Sequence, residues 1–124
     1  MGRKVLLVDD DPIANMINNE LFKVSGYKVV AYTSPKKALE FLNTITASSE
    51  FIPEIIMLDI NMPEMDGWEF LEAYQKTSFA LDSDCRLYIL TSSIAPEDQD
   101  RATTCPSVSG FISKPLTMEW IEKL

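Results

Sequence analysis

Along this chain, short apolar runs alternate with segments in which apolar residues recur every three or four positions. The runs fall at residues 5–8, 28–32, 55–58, 87–90 and 110–113, and their length and aliphatic content predict strands. Pro12 opens a helical pattern that places Ile13, Met16, Ile17, Leu21 and Phe22 on one face, with Asp11 as N-cap and Gly26 as the stop. A second pattern starts at Ser34-Pro35 and carries Ala38, Leu39, Phe41 and Leu42. A third follows Asp66-Gly67 with Trp68, Phe70, Leu71 and Tyr74. A weaker fourth begins near Pro96 and is polar and broken by Pro106, and a short fifth covers residues 118–124. Residues 43–53 and 77–84 read as longer connections.

Strand and helix in alternation predict an α/β fold with a parallel sheet covered on both faces. The wholly apolar first, third and fourth runs require central places and the second and fifth tolerate edges, which gives strand order 2-1-3-4-5. A length of 124 residues with 46% hydrophobic content suits one domain, residues 1–124, around one core. Nineteen acidic against eleven basic side chains give a net charge of -8, which argues against nucleic acid and anionic membranes as partners. The apolar run after Met1-Gly2-Arg3-Lys4 is too short for a signal sequence, so a cytoplasmic location is expected. Cys85 and Cys105 lack metal or redox spacing and are read as free thiols. Histidine is absent, which removes Ser-His-Asp and Cys-His catalysis and His-ligated metals.

The strand ends carry the chemistry that remains. The first predicted strand runs into Asp9-Asp10-Asp11, the third into Asp59, the fourth into Thr91-Ser92-Ser93 and the fifth into Ser113-Lys114-Pro115. In an open α/β sheet, ligands bind beyond the carboxyl ends of the strands where the strand order reverses, here between strands one and three. Asp9, Asp10 and Asp59 are therefore expected to converge, with Thr91 and Lys114 arriving from neighbouring strands. Clustered carboxylates repel unless a cation joins them, and an oxygen-only ligand set favours Mg²⁺ with positions left for a phosphoryl group. Asp11 is read as a helix cap, Asp66 as turn and cap chemistry, and Ser92 and Ser93 receive no role.

Taken together, "LLVDDDP", "IIMLDINMPEMDGWEF", "LYILTSS" and "GFISKP" resemble, in order and over nearly the whole chain, the receiver domain of two-component response regulators. The resemblance implies a flavodoxin-like receiver fold and a phosphorylation-dependent switch, with Asp59 as phosphoacceptor. It implies Mg²⁺ held by Asp9, Asp10, Asp59 and the backbone carbonyl of Asn61. Thr91 and Lys114 would meet the phosphoryl oxygens, Thr91 and Phe111 would form the switch, and the Lys114-Pro115 bond is a candidate cis peptide. The expected donor is a phosphohistidine on a histidine kinase or histidine phosphotransfer protein, and an output protein of unknown identity would read the result. The domain would catalyse its own phosphoryl uptake and loss, act on no other substrate and stand alone. Lys114 is expected to face Asp59 above all. Phe111 lacks the hydroxyl of many switch aromatics, so any switching would act through packing.

Other classes fit less well. An FMN protein would need amides or hydroxyls where this chain has Asp9-Asp10-Asp11, and a dehalogenase-type phosphatase would need D-x-D at one strand end. The remaining alternative is a pseudo-receiver, a binding module of the same fold that works without phosphate.

Overall fold

A computed structural model of the chain describes residues 3–92 and 95–124. Ser93, left without a role above, lies outside them, as do Met1, Gly2 and Ile94. The parallel strands are β1 (Lys4–Val8), β2 (Lys28–Tyr32), β3 (Ile55–Leu58), β4 (Arg86–Thr91) and β5 (Val108–Ser113). They form one five-stranded sheet in the order β2-β1-β3-β4-β5, as the apolar content of the runs predicts.

Each central strand is buried on both faces because alternate side chains serve separate cores. Leu6, Val8, Ile56, Leu58, Leu87 and Ile89 point to one side, and Val5, Leu7, Ile55, Met57 and Leu90 to the other. The first side is covered by α2 (Pro35–Thr44), α3 (Gly67–Gln75), α4 (Ser78–Asp82) and α5 (Pro96–Thr104), through Ala38, Leu42, Phe70, Tyr74, Phe79 and Ala102. On the second side lie α1 (Pro12–Val24) and α6 (Met118–Lys123), which contribute Phe22 and Ile121. The helix starts follow the capping residues in the sequence. Asp11 accepts from the Ile13 N–H, Ser34 from Lys37, and Asp66 forms a reciprocal box with Glu69. Gly26, with φ +90°, turns the chain out of α1.

Two expectations are corrected. Residues 77–84 hold a helix, α4, in which Thr77 caps Ala80 and Phe79 reaches the core. Its single turn is too short to show a period. In α1, the side chains that meet the sheet are Asn15, Asn18 and Phe22, whereas Ile13, Met16 and Ile17 are 62%, 61% and 53% exposed. The apolar face of this helix is therefore an outer surface. Among the described residues, no helix is long and apolar enough to cross a membrane.

The β3–α3 connection folds back on the end of β3. The Gly67 N–H donates to the Ile60 carbonyl at 2.8 Å, and a Cβ on Gly67 would lie 2.6 Å from the Asp59 carbonyl oxygen and 2.7 Å from Ile60 Cα. Both neighbours are backbone atoms and cannot swing aside. Gly67→Ala is therefore expected to destabilise the fold by about 2 kcal/mol, roughly 6–10 °C in Tm. Gly26→Ala meets no atom within 4 Å and is strained only by its positive φ, so it should cost about half as much. Thermal melts of the two variants check the ranking, and an unshifted Gly67→Ala would show that α3 does not clamp the Asp59 backbone.

Candidate functional site

The sheet ladder continues past the strand ends and fixes the backbone of the polar residues there. The Asp59 N–H donates to the Val8 carbonyl at 3.0 Å, Asp9 N–H to Tyr32 at 3.2 Å, and Lys114 N–H to Thr91 at 2.9 Å. Parallel pairing puts Val8 beside Leu58, Leu58 beside Ile89 and, past a register shift between Leu87 and Tyr88, Thr91 beside Ser113. Residues one position beyond these partners must crowd together at one edge of the sheet. One carboxylate oxygen from each of Asp9, Asp10 and Asp59 lies within 4.8 Å of the others. Asp9 and Asp59 are buried, while Asp10 is half-buried.

Lys114 is the cation of this group, and its main partner differs from the expectation. Its Nζ lies 2.7 Å from Asp9 Oδ2 and 3.7 Å from Asp59 Oδ2, so it leans on the first strand. The reason is local: Asp9 Oδ1 already accepts the Asp11 N–H at 2.9 Å, which turns Oδ2 toward β5. Burial works against the ammonium, but the hydrogen bond to Asp9 and the charges of Asp59, Asp9 and Asp11 outweigh it and raise the Lys114 pKa.

The Asp59 pKa is also raised, which for a carboxylate disfavours the charged form. Burial and the nearby Asp9 charge raise its pKa, and Lys114, the Asn61 N–H and the Thr91 hydroxyl only partly counter them. The Asn61 N–H lies 3.3 Å from Asp59 Oδ1, and its side-chain Nδ2 is within 3.5 Å of Thr91 Oγ1. Thr91 is fully buried beside Asp59. Phe111, half-buried, pairs with Ile89 across β4 and β5 and packs against the core on the α2, α3, α4 and α5 side. The Lys114-Pro115 bond is cis.

The donor set suits a hard divalent ion: three carboxylates with no nitrogen or sulfur ligand. Its charge balance supports this, because one ammonium stands among three carboxylates.

Two features escaped the pattern of the sequence. Asn15, on the inner face of α1, donates from Nδ2 to the Asp9 carbonyl at 2.9 Å and the Tyr32 carbonyl at 3.1 Å. It ties the end of β1 to that of β2, and the signal was a polar residue in step with Asn18 and Phe22. Trp68, on α3, donates from Nε1 to Asp98 at 3.2 Å while the Arg101 guanidinium stacks 4.7 Å from its ring. This latch joins α3 to α5. No spacing rule in a single sequence links residues thirty positions apart.

The response regulator receiver domain family matches residues 5–124. A two-component response regulator of rice, Oryza sativa, is 32% identical over 127 residues, covering 98% of this chain and 53% of that protein. The sporulation initiation phosphotransferase F of Bacillus subtilis is 28% identical over 92 residues, covering 74% of this chain and 66% of its own length. The chain thus spans about half the length of the rice relative. Among solved structures, a two-component response regulator from Cytophaga hutchinsonii superposes with a TM-score of 0.86 at 31% identity, covering 98% of this chain and 92% of that one. A chemotaxis response regulator of Vibrio cholerae gives 0.80 at 26% identity, covering 99% and 95%. Sheet order, matched residues and relatives agree, and this chain belongs to the response regulator receiver domain family of two-component signalling.

Proposed function

We propose that the chain is a phosphorylation-dependent switch in which Asp59 accepts a phosphoryl group from a phosphohistidine on a histidine kinase or histidine phosphotransfer protein. The observation that carries this reading is the meeting of Asp9, Asp10 and Asp59 within 4.8 Å at the strand ends, with Lys114 and Thr91 beside them. A carboxylate oxygen of Asp59 forms the new bond to phosphorus as the P–N bond to the donor imidazole breaks. Lys114 neutralises charge on the transferring oxygens, and the Thr91 hydroxyl and Asn61 N–H donate to them, so catalysis rests on positioning and electrostatics. Asp9, Asp10, Asp59 and the Asn61 carbonyl would hold Mg²⁺, which when bound supplies the positive charge that lets an anionic phosphoryl group approach carboxylates. Water later attacks the acyl phosphate and restores the carboxylate.

The donor has an apolar surface to cover next to the site. Lys114, Pro115 and Leu116 border one groove with Ala14 and Ile17, and Ile17 continues into an apolar groove of about 600 Å³ lined by Met16, Leu21, Val24 and Met118. A protein that brings its phosphohistidine over Lys114 along α1 would bury this face. Free Cys85 and Cys105 fit a reducing, cytoplasmic setting. A phosphate-independent binding module would gain nothing from crowded carboxylates, which makes that alternative the weaker one.

Asp59→Asn should abolish phosphoryl uptake from acetyl phosphate, read by intact mass, and undiminished labelling would sink the mechanism. The same variant should be more stable than wild type in metal-free buffer. The pKa of Asp59 is raised in the folded state, so its favourable contribution is present below the ordinary value of 3.8 and is lost as pH rises through the folded value. The advantage of Asn should therefore be greatest at neutral pH and vanish in acid.

Mg²⁺ should raise the Tm of the wild type, by roughly 2.7 kcal/mol of stability at a hundredfold excess over Kd. Asp10→Ala should remove that rise, and an equal response in both proteins would mean that the carboxylates are not a metal site.

Lys114→Ala strands the buried Asp9 carboxylate and should cost about 1–3 kcal/mol. Because the Lys114 pKa is raised, its contribution is fully present below the ordinary 10.5 and fades only as pH climbs through the higher folded value. The stability gap should thus stay level across neutral pH. A gap that closes between pH 6 and 8, roughly the histidine range, would contradict the assignment.

A further inference from the structure

Behind the carboxylates, on the side away from the opening, α1 presents two asparagines to the sheet. Asn15 and Asn18 are 5% and 7% exposed, in places where a helix packed on a parallel sheet ordinarily carries apolar side chains. The two ends of the Asn15 side-chain amide fare differently. Its Nδ2 is satisfied twice, by Asp9 and Tyr32, whereas its Oδ1 is buried with no partner among the described residues. Asn15, Asn18, Asp9 and Asp59, with Met57 and Leu90, line a small cavity of about 10 Å³. That is close to the least room that admits one water, and a cavity with several polar walls takes water where an apolar one stays dry.

We propose that this cavity is a site for a single structural water, held by Asn15 and Asn18, that sets the orientation of Asp9 and Asp59 from behind. The water donates one hydrogen to Asn15 Oδ1 and the other to a carboxylate oxygen, and it accepts from the Asn18 amide. Lys114 and the Asp11 N–H hold Asp9 from the front and side. The water supplies a rear contact, so the carboxylates meet an incoming cation already aimed. Asn15 and Asn18 are thus positioning residues.

The functional half of this proposal rests on the reading of Asp9, Asp10 and Asp59 as a metal and phosphoryl site, but the water itself can be sought without either. A high-resolution crystal structure of the metal-free protein should show an ordered water within hydrogen-bond distance of Asn15 Oδ1, and its absence would overturn the proposal. Asn18→Leu should expel the water by filling the cavity with apolar atoms, while folding with a Tm near that of the wild type. Mg²⁺ affinity by calorimetry should fall about tenfold, as is usual when a partner of a metal-binding carboxylate is removed. Asn18→Ser keeps a polar group on the cavity and should restore both the water and the affinity. Should Asn18→Leu fail to fold, Asn18→Ala removes the polar group without crowding and is read in the same way. Unchanged Mg²⁺ affinity in a folded, dry variant would reduce the water to packing and defeat the positioning role. If Asp59→Asn still took up phosphate, the function proposed above would fail while the crystallographic water stood or fell on its own.

Discussion

Carboxylates forced together by parallel strand register are the constraint on which this molecule turns. Asp9 and Asp59 follow Val8 and Leu58, and those two residues are fixed side by side by the β1–β3 ladder. Neither acid can move away without slipping a strand whose apolar side chains are all buried. A one-residue slip would exchange the two cores, so the fold's own stability holds the repulsion in place. What relieves it is visible in the contacts: the Lys114 ammonium, the N–H groups of Asp11 and Asn61, and the Thr91 hydroxyl. They are too few to balance three charges, and the imbalance is what makes the site receptive to a cation.

Several features remote from the acids become intelligible as supports for that arrangement. Gly67 lets α3 begin against the backbone of Asp59, where any side chain would collide. Asn15 occupies what would otherwise be core in order to satisfy the carbonyls at the ends of β1 and β2. A leucine there would bury more apolar surface but take the Asn15 donor from the Asp9 carbonyl, a loss of about 1–3 kcal/mol, and leave the Tyr32 carbonyl with the Asp9 N–H alone. The polar inner face displaces the apolar residues of α1 outward, and the exposure of Ile13, Met16 and Ile17 follows. An outer apolar stripe and an inner polar one thus have the same origin.

That inversion marks the boundary of what the sequence disclosed. Sheet order was legible because fully apolar runs have only central places to go, and helix starts because Asp11, Ser34 and Asp66 are caps with defined donors. The gathering of Asp9, Asp10, Asp59, Thr91 and Lys114 was legible because a parallel sheet sends all its strand ends to one edge. The core face of α1 was not, since periodicity shows which residues share a face and not which way that face turns. Nor was Lys114's preference for Asp9, which depends on one backbone N–H claiming the other oxygen of that carboxylate. The α3–α5 latch of Trp68, Asp98 and Arg101 is a meeting of distant segments with no local trace.

The uneven anchoring of the sheet's two ends gives the proposed switch a direction. At rest Lys114 stands 1.0 Å nearer to Asp9 than to Asp59, 2.7 against 3.7 Å. A phosphoryl group on Asp59 would bring the local charge to about -2 and compete with Asp9 for the same ammonium. Lys114 and Thr91 are joined through the backbone at 2.9 Å, so a pull on either is felt by both β4 and β5. On the β1 side Asn15 pins the strand ends, and little can yield. On the β5 side α5 has no side-chain cap and buries only Ala102, with the Trp68 latch as its clearest tether. In the proposed switch, strain entering at Asp59 would therefore be released toward Phe111 and α5, where the fewest contacts would have to break, and a partner that reads the phosphorylated state would find its difference there.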